Sequence, residues 1–390
     1  MDKNKQKKII FVFDNWFNDK GGRKKVTLSL LNNIKNFNLT IFAIETKTSF
    51  FQISNFKEGL LNGINIAPFF TKHDIFLPLK IFFKLGYFLR VEKPNLVVAV
   101  GGGTHSDALF VLISKFFLPQ IPTVIINHSN PEYFLKKQNL MLRYLTKICF
   151  RKTDVVVAVS KELKKHLDEI FFKGKDRCFT IYNGLNLNNI QKKSYEPISH
   201  EWFIKKDNPI ILSVARLDEQ QKDFKNLIKA FNLLIKKIEA RLVIVGDGPD
   251  KKDLEFLAEN LGIKEKIWFA GFQDNPYKFM AKSDIFVLSS KHEALPTVLL
   301  EAMACGSVIV SSDCNYGPRE ILNNGEYGFL VPVGDYKKMA DVMEKIIMND
   351  KIKKQLVALG KNRVKDFTIE KNIKAYEELF NKILDKNEFK

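Results

Sequence analysis

Two carboxylates eight positions apart, Glu293 and Glu301, lie in the stretch DIFVLSSKHEALPTVLLEAMAC at residues 284–305. The stretch predicts a strand, a short polar loop and a helix. Ile285, Phe286, Val287 and Leu288 form an apolar run that ends in Ser289-Ser290. Pro296 marks a helix start, because proline lacks an N–H that the first turn leaves unpaired anyway. Leu299, Leu300 and Met303 give that helix an apolar face, and Gly306 gives it a stop. Glu293 therefore falls at a strand's carboxyl end beside a helix N-terminus, with Glu301 on the helix. Open α/β sheets bind ligands at this edge, and helix N-termini favour phosphate. Taken alone, the two residues also read as a carboxylate complementing a helix dipole and a solvated helix residue. Arg216 and Lys222 follow an earlier apolar run, 209–214. A guanidinium and an ammonium there can neutralise a bound diphosphate or simply face solvent.

The neighbours of these residues carry a resemblance. Glu293 and Glu301 are similar to the two ends of the E-x7-E signature of retaining glycosyltransferase family 4, the type used in bacterial glycan and oligosaccharide biosynthesis. The common version has Gly after the first Glu, where this chain has Ala294. The likeness extends over most of the chain and is strongest from about residue 205. It implies an α/β GT-B architecture, two Rossmann-like doubly wound domains facing a central cleft. It implies an enzyme, a hexosyl- or related glycosyltransferase, and a nucleotide-sugar donor.

The resemblance also implies roles. Arg216 and Lys222 resemble the pair that grips the donor diphosphate. Glu301 would hold the nucleotide ribose, Glu293 the transferred sugar, and Ala294, Leu295, Pro296 and Thr297 would line the donor between them. Gly246, in the turn G-D-G-P, and Gly271-Phe272 resemble the loops that receive the nucleotide. Gly21 and Gly22 resemble the first glycine loop, and His128 the histidine facing donor sugar and phosphate. The implied catalytic set is thus Glu293, Arg216, Lys222 and His128. The loop SSDCNYGPREI at 311–321 resembles versions that use UDP-linked hexoses or N-acetylhexosamines, which leans the reading towards UDP-GalNAc or UDP-GlcNAc.

The rest of the chain must position these groups. At 390 residues it can bury two ordinary domains. Apolar runs at 8–14, 39–43, 96–100, 123–126 and 155–159 alternate with helical patterns, which predicts a doubly wound parallel sheet. A second set, at 209–214, 241–245, 267–270, 284–288 and 308–311, follows a polar connector near 190–208. The boundaries expected are 1–200 for an acceptor-binding domain and 201–370 for a nucleotide-sugar-binding domain. A helix over 371–390 is expected to cross back to the first.

Four cysteines without a C-x-x-C pair and six scattered histidines predict no disulfide framework, no metal and no organic cofactor. No apolar run is long enough to span a bilayer, and the first residues do not read as a signal peptide. The net charge of +18 is uneven, with 31 Lys/Arg against 15 Asp/Glu in residues 1–200 and 31 against 29 in the remainder. A basic half suggests an anionic partner. The stretches 66–90 and 133–151 interleave aromatics with lysines, as an interfacial helix or a sheet-covering one would. The expectation is a cytoplasmic protein peripherally attached to the inner membrane face, with a glycan or polyprenyl-diphosphate-linked acceptor. A sugar epimerase or phosphorylase on the same architecture is the alternative, and a nucleic-acid-binding protein ranks last. Nucleic acid is not an expected partner, since no recognition motif accompanies the charge.

Overall fold

The computed structural model describes residues 6–14, 22–45, 65–70, 77–101, 105–130, 133, 135–136, 138–174 and 177–385. The chain forms two compact units, Met1–Gly184 with Ile369–Lys390, and Leu185–Thr368.

The first unit is built on a parallel seven-stranded sheet. Its strands are β1 (Lys8–Asp14), β2 (Asn38–Glu45), β3 (Asn65–Phe70), β4 (Leu96–Gly101), β5 (Thr123–Asn127), β6 (Val155–Ala158) and β7 (Cys178–Thr180), in the order β3-β2-β1-β4-β5-β6-β7. Every residue of β4, β5 and β6 is buried. Such unbroken Val/Ile runs are what a parallel sheet covered on both faces requires. Helices Gly22–Asn33 and Ile369–Leu384 pack together over one face. Tyr376, Leu379, Phe380 and Ile383 turn inward from the second of these, and Phe380 meets Phe11 edge-on at 6.3 Å.

Helices Leu77–Glu92, His105–Phe117 and Leu140–Lys152 lie side by side over the other face. Right-handed crossovers place them there. The stretch 66–90 is therefore not one element. Residues 65–70 are strand β3, where Pro68 is tolerated because β3 is an edge. Likewise 133–151 becomes helical continuously only at Leu140, where the Asn139 side chain accepts the Leu142 N–H at 2.8 Å.

The second unit carries a parallel six-stranded sheet. Its strands are β8 (Ile210–Val214), β9 (Arg241–Val245), β10 (Ile267–Gly271), β11 (Ile285–Leu288), β12 (Val308–Ser312) and β13 (Phe329–Val331), in the order β10-β9-β8-β11-β12-β13. Its core gathers Phe224, Leu227, Ile228 and Phe231 from helix Phe224–Leu234 with Leu242 and Ile244 of β9. Strand order reverses between β8 and β11, so the crossovers on either side leave to opposite faces. A crevice at the strands' carboxyl ends follows from that reversal.

The first division of the chain falls at Gly184/Leu185, not at residue 200. The connector's polar groups are satisfied by the second unit: Asn275 donates to the Lys193 carbonyl at 2.9 Å, and Lys282 to that of Glu196 at 2.8 Å. His200 stacks on Trp268 at 3.8 Å between ring centroids. A polar, proline-containing segment reads as a linker, but these contacts make it part of a wall. The return crossing at Thr368/Ile369 lies two residues before the expected start at 371.

Candidate active site

The carboxyl ends of β8 and β11 converge at the strand reversal. β8 runs into Ala215-Arg216-Leu217, then the single turn Glu219–Lys222, then Asp223 in the left-handed region at φ 50°, then helix Phe224–Leu234. β11 runs into Ser289-Ser290-Lys291-His292-Glu293 and, past Pro296, into helix Thr297–Cys305, which Gly306 closes. Hydrogen bonds and an ion pair stitch the two connections together. The Ser289 hydroxyl donates to the Lys222 carbonyl at 2.7 Å, and the Lys291 N–H to that of Gln221 at 2.7 Å. The Gln221 amide donates to the His292 carbonyl at 3.2 Å, and Lys291 Nζ reaches the Asp223 carboxylate at 3.2 Å.

That stitching brings Lys222 Nζ to 2.6 Å from Glu293 Oε1. Glu293 is only 9% exposed, and Glu301, on the helix that follows, 6%. Glu301 is thus not a solvated helix residue. Its helix is enclosed by the helices Leu187–Ser194, Tyr277–Lys282 and Asp350–Arg363, which cover the side an amphipathic pattern would assign to water. Arg216 extends outward, 69% exposed, with Asp218 at 3.3 Å. A flexible cation beside a buried cation–carboxylate pair can meet a polyanion without first being desolvated.

The supporting loops are packed against this pair. Gly246 has φ 145°, and a Cβ there would stand 1.9 Å from the Ala215 carbonyl oxygen. The G-D-G-P turn therefore lets β9 end directly against the Arg216 loop. The Gly246 N–H in turn donates to the Gly271 carbonyl at 2.8 Å, and Phe272 stands exposed beyond it. On the other side, a Cβ at Gly317 would meet Pro296 Cδ at 2.6 Å and the Ala294 carbonyl oxygen at 2.9 Å. The 313–317 loop so closes over Ala294, Leu295 and Pro296, all buried, with Thr297 half-buried at the helix start. Ala294 is not among the residues at positive φ, so alanine fits without strain where glycine is commoner. Cys314 lies in the same wall. Burial pushes its thiol up to about 12, and the neighbouring Glu293 carboxylate adds to the shift.

The structure gathers Arg216, Lys222, Gly246, Gly271, Phe272, Glu293–Thr297 and Glu301 in the second unit. His128 and Gly22 belong to the first, and Gly21 lies outside the described residues. Gly22 opens helix Gly22–Asn33 and is exposed. His128 follows β5 and is half-buried, its N–H donating to the Gly101 carbonyl at 3.1 Å. Beside it, Asn127 is wholly buried and its Nδ2 has no hydrogen-bond partner among the described residues. A polar residue ending an apolar strand was the signal for it, but the orphaned donor shows only in three dimensions. Among the described residues no group of three or more His, Cys, Asp or Glu gathers to hold a metal ion.

An α/β unit with basic and acidic groups at its strand reversal and a helix N-terminus beside them has the make-up of an anion-binding crevice. The comparisons make this specific. The model for Glycosyl transferases group 1 matches residues 194–363, and that for Glycosyltransferase Family 4 matches residues 35–189. The N-acetylgalactosamine-N,N'-diacetylbacillosaminyl-diphospho-undecaprenol 4-alpha-N-acetylgalactosaminyltransferase of Campylobacter jejuni is 33% identical over 298 residues, 74% of this chain and 79% of that one. The N-acetyl-alpha-D-glucosaminyl L-malate synthase of Bacillus anthracis is 29% identical over 63% of this chain and 65% of its own. Anabaena HepE, solved with UDP and glucose, superposes with a TM-score of 0.78 at 18% identity, across 96% of this chain and all of that one. This chain belongs to glycosyltransferase family 4: it is a glycosyltransferase with the GT-B fold.

Proposed function

We propose that the protein is a retaining transferase that moves an N-acetylhexosamine or hexose from a UDP-sugar to a glycan carried on a polyprenyl diphosphate. It would work at the cytosolic face of the membrane, attached peripherally. The observation that carries the donor half is the Lys222–Glu293 pair at 2.6 Å, set at the strand reversal beside a helix N-terminus. Among the described residues no helix is long and apolar enough to cross a membrane. The names of the two relatives support the finer reading. Both specify an alpha-linked N-acetylhexosamine, and one specifies a diphospho-undecaprenol acceptor.

In this reading the bond between the anomeric carbon and the donor diphosphate breaks as an acceptor hydroxyl attacks from the same face and passes its proton to the departing diphosphate oxygen. The sugar passes through an oxocarbenium-like state. Lys222, with three donors on one ammonium, keeps Glu293 and turns another N–H to the leaving diphosphate, and Arg216 adds a second positive charge. Glu293 accepts from hydroxyls of the moving sugar, and Glu301 from the ribose. No side chain is assigned as a covalent nucleophile. The charge that a metal would neutralise is met by Lys222 and Arg216, so chelators are expected to leave the rate unchanged.

The test is a thermal-shift series with UDP, GDP, ADP and their sugars, followed by product analysis. A ligand at a hundred times its dissociation constant should stabilise by about 2.7 kcal/mol. A UDP response that Lys222→Ala and Glu301→Ala abolish supports the donor site. Transfer of the sugar to a polyprenyl-diphosphate glycan, and not to L-malate, supports the acceptor. Sugar released or epimerised with donor alone would replace transfer by the phosphorylase or epimerase reading.

A further inference from the structure

The first unit exposes apolar side chains in a pattern that its own fold does not use. On helix Leu77–Glu92, Leu79, Phe83, Tyr87 and Val91 recur every fourth residue and all stand in water, Tyr87 at 71% exposure. Ile81, Leu85 and Leu89 of the same helix are buried on the opposite side. The helix thus already satisfies the sheet with one face, and its second apolar stripe is surplus to folding. Helix Leu140–Lys152 repeats the arrangement. Thr146, Cys149 and Phe150 point inward, while Leu140, Met141, Tyr144 and Leu145 point out, Leu140 at 81% exposure. Helix His105–Phe117 lies between the two and adds exposed Phe116, which meets Phe82 at 5.2 Å and extends the aromatic surface from Phe83.

The charges on these faces have one sign. Lys80, Lys84 and Arg90 are exposed among the apolar residues of the first helix, as are Lys147, Arg151 and Lys152 on the other. Helix Leu140–Lys152 contains no acid, and the acid of Leu77–Glu92 is Glu92, half-buried against Lys8. Singly exposed apolar residues need no explanation, but a contiguous apolar surface rimmed by cations is a docking surface. Long basic side chains around large apolar ones suit an anionic lipid interface, where the rings enter the headgroup boundary and the cations meet phosphate. A protein partner would ask for acids set among apolar contacts to match the acid-free basic face of helix Leu140–Lys152.

We infer that the outer faces of helices Leu77–Glu92 and Leu140–Lys152, with the helix that carries Phe116 packed between them, form one surface that inserts into an anionic bilayer. The inference deepens the peripheral attachment proposed above by assigning it to named side chains, and it rests on that reading. It adds a property that net charge alone does not predict. Attachment has an apolar component, so salt weakens it without abolishing it.

The experiment is flotation of the full chain with vesicles of phosphatidylcholine alone and of phosphatidylcholine with phosphatidylglycerol, at about 0.1 M and about 0.5 M salt. Wild type should float with the anionic vesicles at both salts, and more weakly at the higher. Phe83→Ser with Tyr144→Ser should lower partitioning about tenfold at both salts, since two aromatic anchors are lost. Lys147→Gln with Lys152→Gln should lower it chiefly at low salt. All four positions are exposed, so folding is checked by an unchanged melting curve. Wild type that stays in solution with every vesicle, or a Phe83/Tyr144 variant that floats like wild type, overturns the inference. So does concentration-dependent dimerisation of wild type, lost in that variant, with no vesicle binding; the surface would then join two copies. A UDP thermal shift in each sample separates the two readings. Vesicle binding without any nucleotide response would sink the donor reading and leave the surface, and the reverse would sink the surface alone.

Discussion

The carboxylate of Glu293 and the ammonium of Lys222 define what single substitutions should do. Removing either leaves an uncompensated charge in a nearly closed site, so Lys222→Ala should cost about 3 kcal/mol of stability. Lys222→Ala combined with Glu293→Ala should recover much of that loss, because neither charge is then stranded. Transfer should fall about a hundredfold or more in both proteins, since the Lys222 ammonium that stabilises the departing diphosphate is missing from each. Denaturant melts and initial rates on the same samples check both halves. Cys314 tests the enclosure independently. With its thiol held near 12, alkylation at pH 8 should be far slower than for a free cysteine and should speed up only on unfolding, read by peptide mass spectrometry. The pair Glu293/Glu301 was legible because strand, loop, proline and apolar helix face follow one another in sequence. The depth of Glu301 was not, because it depends on three helices whose residues begin as far away as Leu187 and end at Arg363.

At the scale of elements, His200 ties the connector to the second sheet. Its Nδ1 accepts the Trp202 N–H at 3.3 Å, and burial lowers its affinity for a proton below the ordinary 6.5. The folded state so favours neutral imidazole. The stability this gives is present above the ordinary value and is lost as pH falls through the lowered one. An NMR titration should place the His200 midpoint below that of a free histidine, and His200→Gln should flatten the acid limb of the melting temperature. Gly317→Ala is expected to destabilise the second unit by more than 1 kcal/mol and weaken donor binding, because it presses a methyl group onto Pro296 and Ala294. Long runs such as β1, β4 and β9 could be read directly, since a buried parallel strand is apolar throughout. β7 and β13 have three residues each and could not, as so short a run has no period. β3 was hidden by Pro68 and by aromatics that continue towards the next helix, so that strand and helix looked like one amphipathic stretch.

For the whole molecule, the first unit is discontinuous in sequence and the second is not. Phe380, packed edge-on against both Phe11 and Phe37, makes the returning helix part of the first core. Phe380→Ala should cost that unit about 3–5 kcal/mol while the UDP shift of the second unit survives, seen as separation of two calorimetric transitions. The two-fold repetition of strand–helix pattern made the pair of sheets readable from the chain. The point of division was not, because hydrogen bonds from Asn275 and Lys282 reassign a stretch that composition marks as linker. Leu185 and Thr368, the two residues at which the second unit begins and ends, bridge side by side, with the Leu185 N–H on the Phe367 carbonyl at 2.8 Å. A segment whose ends meet can be cut out without leaving either end stretched, so residues 185–368 should fold as a cassette that still takes up UDP. During synthesis that cassette can finish while the first unit still waits for its last helix, leaving the apolar face around Phe11 and Phe37 for a chaperone to cover until Phe380 leaves the ribosome.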